Sequence, residues 1–371
     1  MSKQNNTSTM QEMLLREIPY PIYDASFIRR LVRANQILAV LNERIEHVGF
    51  RTRFLYECLT KEGIYASALA GREIAFRQLL LADAAGTERE ELPMIPAYMA
   101  ALNIGTACLS QDGFSELLFD KLHEALMLYD DEMKSHGGKH RKRDSCALEK
   151  DILPASVVPL MKSAQISDAM RELARYMNET KDEPLIAAAR IHYQFLRIRP
   201  YAVGNLQIAI ILSVLLLMHR GELKHPMICL ARMIFERRED YLSALQKMTS
   251  SEDPMTWYAF FMDGIHDAAD ASARTATKRM ALYKEDAERV RKAEQGVRRQ
   301  QKILRIFDYI MTHPIFGRAP MADTLCMPYP EVTRFVQTLC EMNVVEALED
   351  SGRCHEYRYG ALIDIWRDNM Q

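Results

Sequence analysis

The residues with the most chemical promise stand together in one nine-residue run, Arg199-Pro200-Tyr201-Ala202-Val203-Gly204-Asn205-Leu206-Gln207. Pro200 fixes φ, Gly204 permits a tight turn, and Asn205 comes just ahead of the apolar run Ile208 to Met218. That order predicts a turn, capped by Asn205, leading into a buried helix. A helix start presents free backbone N–H groups and the positive end of the helix dipole, so the chemistry it suits is anion or phosphate binding. Arg199 beside it would add a cation. Arg199, Gly204, Asn205 and Gln207 are therefore the candidates to hold an anion or nucleotide, with an ordinary helix cap as the commoner alternative.

Other reactive groups carry less. His192 lies seven residues before Arg199 in an apolar setting, which reads as a structural histidine rather than a base. The basic cluster Lys139-His140-Arg141-Lys142-Arg143 follows Gly137-Gly138 and reads as a flexible, solvated loop. Cys146 has basic neighbours that would lower a thiol pKa, yet no histidine partner accompanies it, so it receives no role. The seven cysteines are scattered without a C-x-x-C pair, which suits a reducing compartment and offers no metal site.

The elements that must position this turn are helical. In 371 residues, 48% hydrophobic and 26% charged, apolar positions recur at spacings of three and four in Phe27 to Val48, Ile64 to Leu81, Ala97 to Leu109, Phe119 to Tyr129 and Val157 to Met177. The pattern continues in Pro184 to Leu196, Gly204 to His219, Pro226 to Met248 and Pro254 to about Lys302. Breakers between them predict a compact bundle of roughly seven to nine helices. The net charge of -2 leaves no global field toward nucleic acid or acidic membranes. The longest apolar run is about half the roughly 20 residues of a membrane span, and the polar start lacks a signal-peptide core, so a cytoplasmic protein is expected.

Composition shifts along the chain. Residues 1–18 read as a flexible tail, 19–95 as an N-terminal helical region, 96–266 as the core and 267–301 as a charged, ion-paired linker helix. Residues 302–371 follow a different order: helix Ile303 to Thr312, short helix Pro320 to Cys326, helix Tyr329 to Met342, then strand-like alternation around Gly352. This is the order of a winged helix, a small α+β domain. DNA contact through residues 320–360 is disfavoured by charge, since PEVTRFVQTLCEM has one Arg against two Glu. A protein partner or a homodimer ranks ahead of it.

The run His192-Tyr193-Gln194-Phe195, Ile198 and Arg199 to Gln207 resembles the Fic family, whose signature H-P-F-x-[D/E]-G-N-G-R lies in a longer H-x-Q-F-x-x-I-H-P-F run. Segments on both sides look similar too, including YASALAG, AYMAAL and KLHEALM before it and LLLMHRGELKHP, RREDYLSAL and WYAFFMDGI after it. The resemblance covers most of residues 20 to 365 and implies an all-α Fic-type bundle, to which the winged helix is a frequent companion. It also implies transfer of AMP from ATP onto protein hydroxyls, a magnesium ion, and a target-docking flap at about Asp151 to Met161.

Residue by residue, that chemistry carries over poorly. Where the family has its general base, Arg199 has a guanidinium that cannot accept a proton near neutrality. Val203 replaces the acidic metal ligand, Leu206 the second glycine and Gln207 the phosphate-binding Arg. The family's self-inhibiting helix reads [S/T]-x-x-x-E-[G/N]; here Ala66 and Ala70 replace the Ser/Thr and the Glu, and only Gly71 matches. The expectation is a pseudoenzyme acting as a binding or regulatory module, with no assured cofactor; ATP or another phosphate-bearing ligand is the candidate. The alternative is a nucleotide-dependent protein adenylyltransferase or related phosphate-group transferase with a non-standard site.

Overall fold

A computed structural model describes residues 18–72, 94–110, 112–128, 133–144, 153–154, 156–250, 253–348 and 356–367. The chain divides into two compact units. The first takes residues 18–42, 58–72 and the described residues from 94 to 272; the second takes 43–57 and those from 273 onward.

The helices follow the apolar spacing. They are α1 (Ala25–His47), α2 (Arg51–Leu69), α3 (Met94–Leu109), α4 (Glu116–Met127), α5 (Ile166–Glu179), α6 (Pro184–Ile198) and α7 (Asn205–His219). After these come α8 (Leu230–Glu236), α9 (Arg238–Ser250) and α10 (Pro254–Lys292). In the first unit, α6 and α7 pack on each other along their length, as do α3 and α4. The apolar run after Gly204 is buried all round, from Leu206 to Leu217, which accounts for its lack of a polar stripe. Pro184 opens α6 as its first residue, where its missing N–H costs nothing, and the Glu183 carboxylate accepts from the Ile186 N–H at 3.0 Å.

The second unit is α+β. Its described elements from 297 onward are α11 (Val297–Thr312), β1 (Ile315–Gly317), α12 (Arg318–Leu325), α13 (Tyr329–Glu341), β2 (Glu346–Ala347), β3 (Glu356–Arg358) and α14 (Gly360–Arg367). The strands form an antiparallel sheet in the order β1-β3-β2, with Phe316 opposite Tyr357 and Ala347 opposite Tyr357. Ile303, Phe307, Ile310, Val332, Phe335 and Leu339 lie in its core.

Several boundaries differ from the sequence reading. The single helix expected from Pro254 to about Lys302 stops at Lys292 and restarts at Val297, because Gly296 takes a left-handed φ of 87°. The charged stretch is also less exposed than its composition suggests. Arg279, Asp286, Val290 and Glu294 are buried, since Tyr359 donates to Asp286 and Arg279 reaches Glu57. The helix expected from Pro226 to Met248 is two, divided at Arg237, whose φ of -118° and ψ of 39° are not helical. Helix α5 begins only at Ile166, so 157–162 are not part of it. Strand β1 and helix α14 were not anticipated; both are too short to show a period. The predicted helical stretch beyond residue 72, most of the tail, and Cys146 lie outside the described residues.

Candidate functional site

The turn between α6 and α7 is wound by two left-handed residues. Arg199 ends α6 with φ 40°, and Gly204 precedes α7 with φ 79°. At Gly204 the requirement is for glycine itself: an added Cβ would lie 3.0 Å from Met127 Cε and 3.5 Å from His123 Nε2. Asn205 is not the cap expected of it. Gly204 holds the cap position and offers no side chain, while Asn205 is the first residue of α7. Its amide closes the turn internally, with Oδ1 accepting from the Tyr201 N–H at 3.0 Å and Nδ2 donating to the Tyr201 carbonyl at 2.9 Å.

The four side chains proposed to face a ligand or to fill its place are buried: Arg199 is 3% exposed, Asn205 1%, Leu206 3% and Gln207 4%. Val203 is half-buried. The Arg199 guanidinium donates to two carbonyls, Leu196 at 3.2 Å through Nε and Val158 at 3.3 Å through Nη2. Gln207 Nε2 donates to the Ala66 carbonyl on α2 at 3.0 Å. The motif helix and the segment resembling the inhibitory helix are thus joined by a neutral hydrogen bond, made to the carbonyl of Ala66 and not to Ala70, the position that the resemblance gives to the family's Glu. Ala66 is buried and Ala70 half-buried, and Gly71 follows with φ 76° just past the end of α2.

Two residues that the sequence reading passed over hold this turn. Arg141, from the run expected to be solvated, is 6% exposed. Its guanidinium donates to the carbonyls of Arg199 at 2.7 Å, Ile198 at 3.2 Å, Arg143 at 2.7 Å and Met161 at 2.5 Å. Its backbone N–H donates to the Pro200 carbonyl at 2.8 Å, next to an antiparallel bridge between His140 and Tyr201. A cation placed on the last carbonyls of α6 satisfies acceptors that have no intrahelical donor and opposes the negative end of the helix dipole. No local pattern marks Arg141 among its four basic neighbours.

The second is His123 on α4, stacked on Tyr201 with ring centroids 3.8 Å apart and planes within 2°. The Gly138 N–H donates to its Nδ1 at 3.0 Å, so the proton sits on Nε2, which donates to the Val203 carbonyl at 2.9 Å. Burial lowers its pKa to about 4, against the pull of the Val203 bond. The Tyr201 hydroxyl donates to Asp120 at 2.8 Å, and His140 Nε2 lies 3.1 Å from the same oxygen. Burial, reinforced by Asp120, pushes the Tyr201 phenol well above its ordinary range.

His192 is structural, as its setting suggested. Ser213 Oγ lies 3.2 Å from Nδ1 and the Tyr241 hydroxyl 2.9 Å from Nε2, and complete burial lowers its pKa to about 3. The ATP and magnesium implied by the resemblance do not fit the residues present. Val203 supplies a carbonyl already engaged by His123, Leu206 is packed where glycine would leave room, and Gln207 carries no charge and is committed to Ala66. In the stretch 151–161, where the resemblance implies a flap, the carbonyls of Val158 and Met161 accept from Arg199 and Arg141.

Comparison with known proteins places these observations. Residues 114–217 match the sequence model of the Fic/DOC family. A Fic family protein from Desulfovibrio desulfuricans G20 is similar in structure, with a TM-score of 0.53 at 18% identity, covering 92% of this chain and 98% of that one. A Fic domain containing signaling protein from Bacteroides thetaiotaomicron VPI-5482 gives a TM-score of 0.51 at 18% identity, covering 67% of this chain and 98% of its own. At such identities the structures speak to the fold alone: the bundle has the fold of solved Fic proteins, and its residues 114–217 match the Fic/DOC family by sequence.

Proposed function

We propose that this chain keeps the Fic-type turn as architecture and acts as a binding or regulatory module without AMP transfer. The observation that carries this reading is Arg199. It stands at the position of the family's base, cannot accept a proton, and spends its guanidinium on the carbonyls of Leu196 and Val158. The Gln207 to Ala66 hydrogen bond supports the same reading, because it joins α7 to α2 with no charge to release.

A transferase that draws its base from elsewhere is the alternative. Two imidazoles lie at the turn: both nitrogens of His123 are engaged, which weighs against it, and His140 Nε2 lies on Asp120. The partner is read as a protein or a second copy of the chain, docked through the α+β unit as a winged helix. Its helix α13 exposes Arg334 beside Gln337 and Glu341, a mixed surface that favours protein over DNA.

The test is incubation with labelled ATP and a cell lysate. The native chain is expected to transfer no label. The quadruple variant Arg199→His, Val203→Glu, Leu206→Gly, Gln207→Arg is expected to gain transfer. Label transferred by the native chain and abolished by Asn205→Ala, with the helical circular dichroism unchanged, overturns the proposal.

A further inference from the structure

The second unit contains a cavity of about 280 Å³ that the motif turn does not account for. Its walls are Phe50, Met280, Tyr283 and Met311, and its exposed members are His47 and Lys284. The walls are preset. Phe50 is held at a φ of 57°, an unusual conformation for a bulky side chain and one that tends to occur at ligand clamps. Its ring meets Tyr283 edge-on at 5.4 Å, and Tyr283 stacks on Phe307 and donates to Asp308 at 3.0 Å.

Arg279 also lines this cavity, with its side chain 2% exposed. One Nη donates to Glu57 at 2.7 Å and the other to the Met311 carbonyl at 2.7 Å, while the buried Nε has no acceptor among the described residues. Glu57 is shared: Arg53 Nε donates to its other oxygen at 3.1 Å. Two described carboxylates of this unit are engaged as well, Glu43 beside His47 at 3.4 Å and Asp308 by Tyr283. An anion entering the cavity would supply the acceptor that Arg279 Nε lacks among the described residues.

We propose that this cavity binds a small carboxylate with an aromatic or short aliphatic body, the oxygens accepting from Arg279 Nε and the body lying against Phe50, Met280 and Met311. Lys284, at the exposed side, attracts the anion. The site is separate from the motif turn, so its existence does not depend on whether the turn is catalytic.

The probe is 3-phenylpropionate, titrated by calorimetry into the full chain. Its uncharged amide and inorganic phosphate serve as controls for charge and for body. The carboxylate is expected to bind at least tenfold more tightly than either control. A Cβ at Gly49 meets nothing within 4 Å, so Gly49→Trp should fold and obstruct the cavity, abolishing binding. Lys284→Glu, at an exposed position, should weaken binding roughly tenfold without altering thermal unfolding. Absence of heat at millimolar 3-phenylpropionate, equal binding of the amide, or binding that survives both substitutions overturns the proposal.

Discussion

Replacing Arg141 with Met keeps most of the side chain's length and removes its fork of donors. Four carbonyls then lose a charged partner: Arg199 at 2.7 Å, Ile198 at 3.2 Å, Arg143 at 2.7 Å and Met161 at 2.5 Å. Bonds from a charged donor contribute about 1.5–3 kcal/mol each, but they share one guanidinium and do not add. The native state already bears the cost of desolvating that cation, with the side chain 2% exposed. Each buried carbonyl left without a donor costs about 1–3 kcal/mol, and with part of that offset by relief of the buried cation the expected loss for Arg141→Met is about 2–4 kcal/mol. Against a total stability of about 5–15 kcal/mol it is large. Urea unfolding should show a lower midpoint with an unchanged slope, and hydrogen exchange should quicken first at the amides of Arg199 and Tyr201. Arg141→Lys keeps the charge without the planar fork and should recover only part of the loss. A loss below about 1 kcal/mol for Arg141→Met, with no change in exchange at the turn, would refute the claim that this cation holds the motif together.

Two further expectations concern pH. His123 and His192 have pKa values lowered by burial from 6.5 to about 4 and about 3, so both are neutral when folded and take up a proton on unfolding. Their contribution is present above pH 6.5 and is lost as pH falls toward 3, with a limiting slope of about 2.7 kcal/mol per pH unit where both titrate. Urea midpoints measured from pH 7 to 4 check it, and a flat profile would contradict the buried, neutral imidazoles. Glu62 has the opposite sign. Burial raises its pKa from 4.5 to about 7, against hydrogen bonds from Cys229, the Ala231 N–H and Tyr98. Its contribution is full below pH 4.5 and is lost as pH rises through about 7. Glu62→Gln should therefore raise the melting temperature at pH 8 and leave it unchanged or lower at pH 5; a uniform loss at both would show the carboxylate to be charged and well solvated.

How much of this was legible beforehand depended on how local the signal was. The spans of α1, α3, α4, α6 and α7 lie within a few residues of their apolar patterns, because a helix that buries one face writes a 3.6-residue period into its sequence. Helix ends set by a single backbone angle, at Arg237 and Gly296, were not legible. Neither were β1, at three residues, and α14, at eight. Within the turn, Pro200 and Gly204 announced its shape correctly. Asn205 was assigned the wrong partner, because an amide beside a glycine suits either a cap or a turn closure.

The order of amino acids alone settles what each motif side chain is able to do. A guanidinium at 199 does not abstract a proton, a valine at 203 does not ligate magnesium, and a glutamine at 207 does not neutralise phosphate, wherever the chain places them. Those are properties of covalent structure. What each group is occupied with is a tertiary decision. Arg141 and Met161 lie 20 residues apart, His123 and Val203 lie 80 apart, and Gln207 and Ala66 lie 141 apart. The cavity beside Arg279 joins residues 47–50 to Met311. Such partners are chosen by burial, since a buried donor must find whichever acceptor packing brings within reach, and no local pattern records that choice.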